Sequence, residues 1–164
     1  MPSKGKQEGE LFGVYNHCIQ VNGNEINLSL YDTPSDSDFL PPILPGANVV
    51  VLVYSLLHND LFENLENHWI PVINELSPES PIILVGTDLE LQRPPSYRID
   101  SPVTDSEIEE LCRKFQLKSS HKVSLFSWRG IRDLFDDIIF TGLGQEPCFP
   151  VESDILRSTR CEIM

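Results

Sequence analysis

The chain has 164 residues, of which 40% are hydrophobic, so it has room for one domain with a real core. Its 12 basic residues against 25 acidic ones give a formal net charge of -13, which argues against non-specific binding to nucleic acid or anionic lipid. The opening MPSKGKQEGE has no apolar run of the signal-peptide kind and no segment reaches membrane-spanning length, so a soluble, cytoplasmic protein is expected.

Leu11 to Val21 and Ile26 to Tyr31 flank Asn22-Gly23-Asn24. Asn-Gly supplies the positive φ angles of a tight hairpin, so two antiparallel strands are predicted. Val49 to Tyr54 (VVVLVY) and Ile82 to Val85 (IILV) are continuous apolar runs, the mark of parallel strands covered on both faces. Between them Leu61, Leu65, Trp69, Val72, Ile73 and Leu76 recur at helical spacing, which predicts a crossover helix from Asn59 to Leu76, bent at Pro71. Thr104 followed by Glu107 forms a capping-box signature, and Ile108, Leu111, Cys112 and Phe115 give the helix it opens an apolar face. The carboxylates from Asp105 to Glu110 suit the positive end of that helix and need no ligand. A short strand from Val123 to Phe126 and a helix from Ile131 to Thr141 complete an α/β alternation. From Gly142 the periodicity stops. The division is therefore a polar leader over 1–10, a domain over 11–141 and a tail over 142–164.

Cys18, Cys112, Cys148 and Cys161 are scattered and include no close-spaced metal pair, so neither a zinc site nor a disulfide framework is indicated and a reducing compartment fits. His17, His58, His68 and His121 form no pair at metal spacing, and sequence position assembles no Ser-His-Asp set. They read as packing or surface residues.

Several blocks in order resemble the small GTPases, the Rho and Rac branch in particular. NGNEINLSLYDT (Asn22 to Thr33) is similar to the Rho-type hairpin that ends in Asp-Thr-Ala-Gly-Gln, and FENLENHWIPVI (Phe62 to Ile73) to the Phe-Glu-Asn, Trp and Pro pattern of the crossover helix. PIILVGT (Pro81 to Thr87) matches the strand before the guanine-reading loop, and WRGIRDLFDDII (Trp128 to Ile139) resembles the closing helix. The resemblance spans Leu11 to Phe140. It implies a small-GTPase-like sheet of the P-loop NTPase type, flanked by helices, mixed and of about five strands, truncated at the N-terminus. It also implies GTP or GDP with magnesium as ligands. Asp32 would hold the metal through water, and Asp32, Thr33, Thr87, Glu90, Ser124 and Leu125 would be what is left of the nucleotide site. Without the resemblance, Asp32 would read as an ordinary turn residue.

Against the family pattern the site looks degenerate. No G-x-x-x-x-G-K-[ST] occurs, and the ten residues before Leu11 are too few for the family's first strand, phosphate loop and following helix. Glu10 falls where the first switch has a magnesium-binding threonine. Pro34, Ser35 and Asp36 replace Ala, Gly and the water-orienting Gln, which sets a carboxylate where the γ-phosphate would lie. Asp38 to Pro45 (DFLPPILP) is too proline-rich for a switch helix. Thr-Lys-x-Asp becomes Thr87-Asp88-Leu89-Glu90, and Ser-Ala becomes Ser124-Leu125. RPPSYRIDSP, Arg93 to Pro102, stands where the Rho branch has a longer helical insert. With the first strand absent, the hairpin is expected to close directly against Val49 to Tyr54, the alternative being exposed apolar edges.

The resemblance implies a Rho-type signalling protein with protein effectors or regulators as partners. Here it would be an interaction module with impaired GTP binding and hydrolysis. An active GTP-binding protein with weak GTPase activity is the second reading, and an unrelated α/β binding domain the third. The terminal Cys161-Glu162-Ile163-Met164 reads as a C-a-a-X box of the farnesyl type, which would carry the protein to the cytoplasmic face of a membrane. Only Arg157 and Arg160 lie close upstream, and one lipid alone anchors weakly. Cys148 reads as a tail cysteine.

Overall fold

In the computed structural model, residues 13–34, 38, 40–87 and 102–145 are described. The hairpin forms as its turn residues dictate. Strands β1 (Gly13–Val21) and β2 (Asn24–Asp32) pair antiparallel in a register running from Val21 opposite Asn24 to Gly13 opposite Asp32. Asn22 and Gly23 take φ of 52° and 80°, the two left-handed positions of a turn whose twist matches that of the strands. None of the hairpin's residues is fully buried.

A second, parallel sheet holds the core. Strands β3 (Val50–Ser55), β4 (Ile82–Thr87) and β5 (Ser119–Lys122) lie in the order β3-β4-β5. Central β4 is buried on both faces, as its unbroken IILV run requires. Ile82 and Leu84 pack with Phe62, Leu65, Ile70, Ile73, Ile108 and Leu111 on one face. Ile83 and Val85 pack with Val123, Leu134 and Ile138 on the other. The first face therefore carries the crossover helix and α3 (Asp105–Phe115), the second α4 (Ile131–Gly142).

The crossover helix occupies the predicted span, and its proline leaves a specific mark. It runs as α1 (Asn59–Asn64), a π-helical turn (Leu65–Trp69) and α2 (Ile70–Leu76). Pro71 has no N–H, and its ring would press on the carbonyl four residues back in regular α-helix. Immediately before it, the Ile70 N–H reaches the Leu65 carbonyl, and the helix widens by one residue instead of breaking. At α3 the capping box forms: the Thr104 side chain accepts from the Glu107 N–H, and the Thr104 N–H donates to Glu107 Oε2 at 2.8 Å.

Three expectations are corrected. The five strands do not make one mixed sheet, and the hairpin does not pair with β3; among the described residues they form separate sheets of two and three strands. The last strand lies at Ser119–Lys122, ahead of Val123 to Phe126. Its ladder begins with Lys118 N–H on the Ile82 carbonyl and ends with Val123 N–H on the Gly86 carbonyl, after which Leu125 to Ser127 turn away. The proline-rich loop forms turns, as expected without a switch helix, but it also feeds the core. The Ile43 and Leu44 N–H groups both donate to the Leu40 carbonyl, and Leu40 and Leu44 are buried.

The polar β5 is held by side chains from α4. His121 Nε2 lies 2.7 Å from Asp137 Oδ2, Ser119 Oγ donates to the same oxygen, and Thr141 Oγ1 donates to Oδ1 at 3.2 Å. Burial pushes the Asp137 pKa up, yet the hydrogen bonds from His121 and Ser119, the His121 charge and Thr141 outweigh it and hold the carboxyl below its usual range. A depressed folded pKa gives stability that is full above the unfolded value, ~3.9, and is lost as pH falls through the folded one. Asp137→Asn is therefore expected to cost about 1.5 to 3 kcal/mol near neutrality, the range for hydrogen bonds to a charged group. The gap to wild type should close as pH falls below about 4. Urea unfolding between pH 7 and pH 3 checks this; a gap that does not change with pH contradicts it.

Candidate functional site

In open α/β sheets, ligands bind outside the carboxyl ends of the strands. That edge is formed here by Ser55 at the end of β3 and Leu56 after it, Thr87 at the end of β4, and the Val123 to Trp128 turn after β5. Thr87 Oγ1 donates to the Tyr54 carbonyl at 3.2 Å, and the Thr87 carbonyl accepts from Leu56 N–H, which ties β4 to β3 at this edge. Leu56 is fully buried beneath it, and burial pushes the phenol of neighbouring Tyr54 well above its ordinary range.

Ser124 is buried, and its hydroxyl faces inward. It accepts from the Ser127 N–H at 3.0 Å and the Ser127 hydroxyl at 2.8 Å, while the Ser124 N–H donates to the Arg129 carbonyl. Those bonds close a tight turn whose large side chains point outward. Leu125 is 63% exposed, Phe126 86% and Trp128 74%, and Trp128 has a φ of 60°. Such a cluster of exposed apolar side chains is unusual at any one place on a soluble surface.

A family model for the Ras family matches residues 7–141. The chain belongs to the Ras family. The parallel sheet flanked by helices agrees with the small-GTPase fold, and membership places the chain among small-GTPase signalling proteins. It also removes the reading of an unrelated α/β binding domain.

The structure brings part of the expected site together. Thr87, Ser124 and Leu125 share the carboxyl edge of the parallel sheet, while Asp32 and Thr33 stand exposed at the end of β2, in the separate hairpin. Glu10, Ser35, Asp36, Asp88, Leu89, Glu90, Cys148 and Cys161 lie outside the described residues. Ras-family membership implies guanine nucleotide with magnesium as ligands. Among the described residues, no group of three or more His, Cys, Asp and Glu is arranged to hold a metal ion. The Ser124 hydroxyl accepts two hydrogen bonds from Ser127, and Leu125 and Phe126 stand exposed at the same edge.

A cleft of about 270 Å³ lies elsewhere, between α1 and α3, lined by Phe62, Leu111, Lys114 and four glutamates. Lys114 is paired with Glu66, and the lining is acidic. A triphosphate would be repelled there. The outward display of Phe126 and Trp128 was not legible in the sequence, because the apolar run in VSLFSW reads equally well as a buried strand. No helix among the described residues is long and apolar enough to cross a membrane.

Proposed function

We propose that this chain is a Rho-type member of its family that binds and hydrolyses GTP poorly and works as an interaction module. Its partners would be the effectors or regulators of small-GTPase signalling, met at the cytoplasmic face of a membrane through a lipid on Cys161. The observation that carries the reading is the exposed Leu125, Phe126 and Trp128 at the edge where a guanine base would be read. Exposed aromatic and branched aliphatic side chains are what protein partners bury at the centre of an interface.

Charge supports the same reading. Asp36 and Asp88 stand where the family has a glutamine and a lysine, so both changes add negative charge beside an anionic ligand. A carboxylate about 4 Å from a phosphate charge costs roughly 4 kcal/mol at an effective dielectric near 20. That is on the order of a thousandfold in affinity for each such contact. Titration of the full chain with a fluorescent GTP analogue and magnesium is expected to show no saturable binding at micromolar nucleotide. Micromolar or tighter binding that Asp32→Ala abolishes would restore the active, weakly hydrolysing reading.

A further inference from the structure

We draw no further inference here: the strongest candidate, the cleft between α1 and α3 lined by Phe62, Leu111, Lys114 and four glutamates, is an acidic cluster whose lysine is already paired with Glu66, and nothing in the structure shows what would fill it.

Discussion

Gly130→Ala is expected to cost about 3 kcal/mol or more, from overpacking and left-handed backbone strain together. Gly130 has a φ of 77° and is the N-cap of α4. An added Cβ would lie 2.6 Å from the Lys122 carbonyl oxygen, which is backbone at the end of β5 and cannot swing aside. The turn before it holds the Ser124 N–H on the Arg129 carbonyl, with Trp128 already left-handed. Relief would therefore have to come from shifting α4 off Ile83 and Val85. Against a total stability of about 5 to 15 kcal/mol, typical of such domains, the loss should appear as a large drop in urea midpoint with little change in slope. A variant within about 0.5 kcal/mol of wild type, the range of an ordinary surface change, would contradict this account of the turn.

The second large effect lies in β4. Ile83 and Leu84 are neighbours in sequence, both fully buried, and serve opposite faces of the sheet. Truncating either to alanine removes buried methyl groups and leaves a cavity, at about 2 to 5 kcal/mol each. Because the two side chains contact different clusters, the double variant should lose nearly the sum of the singles. Urea unfolding of the two single variants and the double variant checks it. If the double variant loses much less than the sum, the faces share one relaxing core rather than two clusters held apart by the sheet.

These sites also show what the sequence could and could not reveal. Asn22-Gly23, the VVVLVY and IILV runs, the helical period from Leu61 to Leu76 and the Thr104/Glu107 box are local signals, and each became the expected element. Strand β5 was missed because SSHK carries no apolar run; its place is fixed by backbone bonds to β4 and by Asp137, 16 residues beyond His121 and 18 beyond Ser119. The separation of the hairpin from β3 is likewise non-local, since which strands pair across a long connection has no signature in either strand. At the site, Thr87 and Ser124 could be placed by the blocks around them. Whether Leu125, Phe126 and Trp128 face in or out depended on the Ser124–Ser127 turn, and apolar residues in a row do not encode that.

The account rests on the claim that the carboxyl edge of this sheet meets protein partners and holds no guanine nucleotide. The amount of GTP and GDP released from the full chain, purified natively in magnesium-containing buffer without added nucleotide and measured per mole of protein, tests it most directly. The account predicts about 0.1 nucleotide per chain or less, as for a site weakened about a thousandfold. Near-stoichiometric GDP or GTP, lost in Asp32→Ala, would contradict it.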